Sequence, residues 1–92
     1  MSANNYTRLN SNTVGVAITT QPCQLYAVTI NSKGATANIL TLYDGTSTGG
    51  TVIAVIDTTA NVGTLFYKLE CRTALFVALA TGTAADVTIL TN

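Results

Sequence analysis

Residues 42–59 read LYDGTSTGGTVIAVIDTT, which is an apolar segment, a turn and a second apolar segment in immediate succession. The turn at 44–50 contains an Asp-Gly and a Gly-Gly pair. Glycine adopts positive φ without strain and aspartate hydrogen-bonds its own backbone, so both residue types favour a tight reversal of the chain. The segment at 51–56 is short and rich in β-branched residues, which is typical of a strand. This stretch predicts a β-hairpin.

The rest of the chain repeats the pattern, with short apolar or alternating segments between clusters of Gly, Asp, Ser and Thr. No segment has the apolar spacing of a long helix. Strands that recur at this spacing predict an all-β fold, an antiparallel β-sandwich that is jelly-roll-like with seven to eight strands, although an immunoglobulin-like topology fits equally. The predicted strands are 14–19, 24–31, 37–43, 51–56, 64–70, 74–80 and 86–91, with a short eighth strand at 6–9.

The length of 92 residues predicts one domain with a modest core. We assign residues 14–92 to a single β-sandwich domain and the polar residues 1–13 to an N-terminal arm. The arm is expected to extend from the sandwich and to pair with a neighbouring molecule by strand addition. The candidate interaction residues within the arm are Tyr6, Thr7, Arg8 and Leu9. The N-terminus lacks the pattern of a secretory signal, so synthesis and retention in the cytoplasm are expected.

Charge is unusually scarce in this sequence, because only 9% of the residues are charged and the four basic and four acidic side chains cancel. Nucleic-acid binding requires clustered Lys or Arg to displace phosphate counterions. Four scattered basic residues do not form such a cluster, so no nucleic-acid partner is predicted. No apolar run reaches the roughly 18 residues of a spanning helix, so no membrane partner is predicted either.

Several predicted strands are apolar on both faces, although a two-sheet sandwich buries only the inward face of each strand. Residues 51–56 are apolar at every position after the first, and 74–80 read ALFVALA. In 24–31, alternation places Val28 and Ile30 on one face and Leu25 and Ala27 on the other. Some apolar surface is therefore expected to face outward, which predicts an obligate homo-oligomer, with a trimer as the first expectation.

The sequence contains no histidine, the most common general base and metal ligand. Asp44, Asp57 and Asp86 lie at predicted strand ends, where turn capping is the expected role. A calcium site built from two of them is the alternative, although the usual calcium-loop spacing is missing. We therefore predict no catalytic residue, no metal and no cofactor, and hence a protein that is not an enzyme.

Cys23 and Cys71 are predicted to be buried free thiols, because no zinc-type spacing is present and cytoplasmic disulfides are uncommon. A disulfide between them is the alternative. Lys68, Glu70 and Arg72 flank Cys71. These charges are expected to form surface ion pairs, and activation of the thiol is the alternative.

The six aromatic residues, four Tyr and two Phe, are expected to lie mainly in the core. Tyr43, which precedes the turn, and Phe66, which lies near polar residues, are the expected exceptions. Exposed aromatic rings are also the usual surface on which sugars stack. A carbohydrate-binding platform is therefore kept as an alternative function.

Two stretches carry a resemblance to a known group of proteins: residues 42–59, quoted above, and residues 80–88, which read ATGTAADVT. They resemble small β-sandwich structural proteins of tailed bacteriophages, including cyanophages, in which an LYDGTS-type hairpin, a VIATIDTT-like strand and a terminal TGTAADxTV strand recur. Some members of that group resemble capsid decoration, or cement, proteins. The resemblance covers roughly the C-terminal half of the chain.

The resemblance implies a jelly-roll-like subunit, commonly trimeric, that binds the outer surface of a capsid and locks neighbouring shell proteins together. The implied partners are further copies of the chain and the major capsid protein, and the implied location is the virion surface after synthesis in the host cytoplasm. The matched stretches hold turn and strand signatures and no functional residues to transfer. The alternative is a receptor- or glycan-binding module of a virion fibre or tail appendage.

Overall fold

A computed structural model describes residues 5–60 and 62–92 of the chain. These residues form an all-β fold, and each strand matches a predicted one with bounds that differ by at most two residues. The prediction of an antiparallel β-sandwich is confirmed. The strands are β1 (Asn5–Leu9), β2 (Thr13–Thr19), β3 (Cys23–Ser32), β4 (Ile39–Asp44), β5 (Thr51–Asp57), β6 (Gly63–Cys71), β7 (Leu75–Ala80) and β8 (Asp86–Thr91).

The strands form two four-stranded sheets. Sheet I has the order β1-β8-β3-β6 and sheet II the order β2-β7-β4-β5. Among the described residues all strand pairings are antiparallel, and only the β4–β5 hairpin joins consecutive strands within one sheet. Every other connection crosses between the sheets. The pairs β4–β5 and β2–β7 belong to sheet II, and the pairs β3–β6 and β1–β8 belong to sheet I. The chain therefore has the form of one long hairpin that is folded so that successive strand pairs alternate between the two sheets.

The core lies between the sheets and is built from aliphatic residues at alternate strand positions. Leu40 and Leu42 of β4 and Val77 and Leu79 of β7 are fully buried there. Alternation is broken in β3, where the register shifts between Leu25 and Ala27. Because such a bulge inserts an extra residue, Leu25 joins the same core cluster as Val28 and Ile30. The predicted separation of Leu25 from these two residues is therefore wrong.

Part of the predicted N-terminal arm belongs to the sandwich. Asn5–Leu9 pairs with β8 of the same chain over its whole length and forms an edge of sheet I. The expected boundary at residue 14 is therefore corrected, because residues 5–9 form a strand of the domain. Residues 1–4 of the arm lie outside the described residues.

The loops at one end of the sandwich meet at the buried side chain of Asn38. Its Nδ2 donates hydrogen bonds of 2.8 Å to Asn12 Oδ1 and of 2.8 Å to the Thr81 carbonyl. Its Oδ1 accepts from Thr58 Oγ1 at 2.8 Å and from the Ala85 N–H at 3.0 Å. These partners come from the β1–β2 connection, the start of the β5–β6 connection and the β7–β8 connection. One amide side chain therefore fixes three chain segments relative to β4.

The β7–β8 turn approaches the β3–β4 connection closely at Gly82, which has φ +59°. A Cβ atom at this position would lie 2.0 Å from the carbonyl oxygen of Ala35. Ala35 and Thr83 exchange two backbone hydrogen bonds of 3.0 and 2.9 Å across this contact. Only glycine combines the left-handed backbone with the space that this contact leaves.

Candidate interaction surfaces

The outward side of sheet I carries a mixture of polar, charged and aromatic residues, which we call the mixed face. In the strand order β1-β8-β3-β6, the register aligns two outward rows. The first row contains the exposed aromatic residues Tyr6 and Phe66 at its two ends. The rows are Tyr6, Leu90, Ala27 and Phe66, and Arg8, Thr88, Thr29 and Thr64.

The four candidate interaction residues of β1 divide between two environments. Tyr6 is 74% exposed on the mixed face, and Arg8 is also exposed there. Leu9 packs against the core cluster, and Thr7 is half-buried opposite Ile89. Since side chains alternate along a strand, only Tyr6 and Arg8 remain available to a partner on this face.

Arg8 forms an ion pair with Asp86 of β8. The Arg8 Nε donates to Asp86 Oδ1 at 2.9 Å, and Nη2 donates to the second carboxylate oxygen. Asn31 Nδ2 lies 3.3 Å from the same Oδ1. The hydrogen bond from Arg8 is the main cause that holds the pKa of Asp86 below its ordinary value. Asp86, which was predicted to cap a turn, instead holds the edge strand β1 against β8.

We expect the Arg8→Ala variant to raise the pKa of Asp86 towards its ordinary value. Because the folded-state pKa is lowered, the stabilisation from this pair is present above the unfolded pKa near 4 and is lost as the pH falls. A carboxyl NMR titration of Asp86 measures the change. Arg72→Ala is the control, because it also removes one positive charge but does so near Asp44. The pKa of Asp86 is expected to be the same in this variant as in the unchanged protein. An unchanged Asp86 pKa in Arg8→Ala contradicts the assignment.

The mixed face also carries a cluster of two aromatic rings and one cation. Tyr26 and Phe66 contact edge to face with centroids 5.7 Å apart. The Lys68 ammonium lies 5.8 Å from the first ring and 5.6 Å from the second. Phe66 is 62% exposed as predicted, whereas Tyr43 is half-buried on the other sheet. A planar apolar ring is thus presented to solvent next to a positive charge.

The outward side of sheet II is almost entirely uncharged, and we call it the apolar face. The predicted strand 74–80 is apolar on both sides, and within the described residues only its side formed by Leu75, Val77 and Leu79 is fully buried. Val52 and Val55 of the edge strand β5 are 53% and 64% exposed. Register places these outward residues side by side: Thr41, Tyr43, Val52, Val55, Phe76 and Ala78.

Asp44 and Asp57 cap turns, as predicted. The Asp44 carboxylate accepts backbone hydrogen bonds from Arg72 and Thr73 at 3.0 and 2.9 Å, which lowers its pKa. The Asp57 carboxylate accepts from the hydroxyl and the N–H of Thr59 at 2.6 and 2.9 Å, which also lowers its pKa. Both carboxylates are therefore engaged by the β6–β7 and β5–β6 connections.

Cys23 and Cys71 are free thiols that lie directly opposite each other on β3 and β6. Cys71 is buried and Cys23 is half-buried. Burial, together with the adjacent Cys23 thiol, raises the pKa of Cys71 to about 12. This shift opposes the alternative of an activated thiol, because the thiolate is the reactive form.

A shallow groove of about 230 Å³ runs along the β2–β7 border of sheet II. Its lining is formed by uncharged residues and contains no general acid or base. The lining residues are Asn12, Thr13, Val14, Leu79, Ala80 and Thr81.

Among residues 5–60 and 62–92, no helix has the length and apolar character needed to cross a membrane. Comparison with known proteins finds no family model that matches the chain and no curated protein sequence that matches it.

Proposed function

We propose that this chain is a non-enzymatic structural protein of a virion, a capsid decoration protein that binds the outer capsid surface as a homo-oligomer and stabilises the shell. The observation that carries the proposal is the contrast between the two outward faces of the sandwich. One face is apolar and nearly uncharged, and the other mixes exposed aromatic, charged and hydroxyl side chains. Two chemically different surfaces suit a subunit that contacts both its own copies and a second protein.

The proposed partners are further copies of this chain, for which the phage resemblance implies a trimer, and the major capsid protein. The low charge of the molecule supports protein partners over nucleic acid or an acidic membrane, since both of these require clustered basic residues. An oligomer binds the shell through several equivalent contacts at once. Weak individual contacts then add up to stable attachment through a high effective concentration.

We assign the capsid contact to the β1 edge of sheet I. An edge strand has unpaired backbone groups along one side, to which an extended segment of another protein can add. Tyr6 stands outward on this edge with most of its ring exposed, and Arg8 lies two residues further along. The β1 strand then acts as a docking edge of the domain and not as a detached arm.

The Tyr6→Ala variant is expected to lower occupancy on capsids about tenfold or more, because exposed aromatic anchors dominate interface energies. Purified capsids that lack the protein are mixed with each variant, and occupancy is read by cryo-electron microscopy and by co-sedimentation. Phe66→Ala is the matched control, since Phe66 ends the same outward row at the opposite edge of sheet I. Equal binding by Tyr6→Ala and the unchanged protein would overturn the assignment of the β1 edge. Absence of any ordered density on the shell would overturn the decoration function.

The exposed ring of Phe66 favours a second candidate function, glycan binding by a fibre or tail appendage. Phe66 packs edge to face on Tyr26, and the Lys68 ammonium lies beside both rings. This function requires that the isolated protein bind sugar and that Phe66→Ala abolish the binding. A glycan array with both proteins distinguishes it from capsid decoration.

A further inference from the structure

We infer that the apolar face of sheet II binds the same face of a second copy of this chain, so that two sandwiches stack across a two-fold axis. The inference deepens the self-association that is part of the proposed function, by naming the surface and the symmetry. It departs from the trimer implied by the phage resemblance, because a patch that packs on its own copy closes as a dimer.

The distribution of charge selects a second copy as the occupant. Arg8, Lys68, Glu70 and Asp86 lie on sheet I. The acidic residues of sheet II, Asp44 and Asp57, lie at the ends of β4 and β5, where they cap turns. On sheet II, Thr41, Val55 and Ala78 form one outward row without a charged side chain, and Tyr43 and Phe76 contact each other in the next. These two central rows meet their own copy without repulsion between like charges, whereas a charged partner would lose hydration without gaining a counter-charge.

A broad side of the molecule is large enough in outline for a standard dimer interface. The principal extents of the molecule are 32 × 27 × 16 Å, and the shortest of them corresponds to the direction across the two sheets. The product of the two longer extents sets an upper limit of about 860 Å² on the projected area of a broad side, and a standard interface buries roughly 800 Å² per partner, so the dimer must use most of that side. A contact confined to one loop or edge would not reach this area.

The structure of the face also suits sheet-on-sheet packing. Phe76 and Tyr43 lie near the middle of the face with ring centroids 6.4 Å apart, and the ring of Phe76 fills the space above Gly15. Two sheets that stack face to face interdigitate such side chains at a spacing of about 10 Å. Dimerisation would therefore convert a solvated apolar surface into a second core layer and leave the mixed face of each copy outward.

The Val55→Glu variant tests the inference, because Val55 is 64% exposed on β5 and tolerates a carboxylate in the folded monomer. In the stacked dimer that carboxylate is buried without a partner, so the dissociation constant is expected to rise about 100-fold or more. Phe66→Glu is the matched control, since Phe66 is 62% exposed on β6, the corresponding edge of sheet I. Circular dichroism checks that both variants fold.

Light scattering coupled to size-exclusion chromatography reads the result between about 1 and 50 µM, the micromolar range of moderate protein affinities. The expected result is a mass of twice the 9.5 kDa chain for the unchanged protein and for Phe66→Glu, and a monomer for Val55→Glu. A monomeric unchanged protein, a trimer, or a dimer that only Phe66→Glu dissociates would each overturn the inference. A trimer would leave the proposed decoration function standing, whereas a dimer that never binds capsids would overturn that function and leave this inference intact.

Discussion

The Asn38→Ala variant is expected to lose about 2–4 kcal/mol of unfolding free energy, because it removes one member of a buried hydrogen-bonded network. The Ala85 N–H, which is fully buried, donates to Asn38 Oδ1 and is left without that acceptor. Alanine also leaves an empty volume between the β1–β2 and β7–β8 connections. In a domain of this size the loss corresponds to a fall in melting temperature of about 10–25 °C.

Guanidinium unfolding followed by circular dichroism measures this effect, at one fixed protein concentration because self-association adds to apparent stability. Asn31→Ala is the matched control. Asn31 is exposed and bonds Thr88 Oγ1 at 3.0 Å on the surface of sheet I. Its loss is expected to stay within about 1 kcal/mol. Equal stabilities of the two variants would show that the hydrogen bonds of Asn38 do not stabilise the loops at this end of the sandwich.

Oxidation by glutathione disulfide is expected to join Cys23 and Cys71 covalently. Their α-carbons are register partners in an antiparallel pair, which places them about 4.5–5.5 Å apart and within the range that a disulfide spans. The two thiols lose two hydrogens and two electrons to glutathione disulfide, which leaves as two molecules of glutathione. Attack is expected to begin at Cys23, because it is the less buried of the two thiols.

The closed loop spans 71 − 23 = 48 residues, and the chain-entropy relation gives a stabilisation of about 4 kcal/mol for a loop of that length. Mass spectrometry of the linked peptides detects the bond, and guanidinium unfolding of oxidised and reduced protein measures the gain. Cys23→Ser under the same oxidant is the control and shows no change. Full alkylation of both thiols after prolonged exposure would contradict the predicted bond, and a lower stability of the linked form would contradict the predicted gain.

The strands were predictable because their signals are local. Alternation of apolar and polar residues sets the period of a strand, and Asp-Gly or Gly-Gly pairs mark the turns between strands. Even the short β1 strand was anticipated at 6–9, although its residues were also assigned to an arm. The arm assignment followed from polar composition alone, and composition does not reveal that Asn5–Leu9 hydrogen-bonds to β8 far away in the chain.

The errors occur where a residue's environment depends on a distant strand. Alternation placed Leu25 opposite Val28, but the β3 bulge returns it to the core because neighbouring strands shift their register there. Asn38 was included in a predicted strand, and nothing near it in sequence indicates that its amide binds three other segments. An Asn that follows Gly34 and Thr36 in a turn-rich stretch indicates from the sequence only that a strand begins nearby.

The sequence by itself determined the all-β class, the positions of the strands and the excess of apolar surface, since each depends on residues close together in the chain. Only the tertiary structure decided that the nearly uncharged apolar face belongs to sheet II, that β1 belongs to the domain and that Cys23 faces Cys71. Those outcomes depend on which strands pair and in what register. Strand pairing joins residues that are far apart in the chain and depends on the packing of the whole core. It therefore cannot be predicted from a short stretch of sequence.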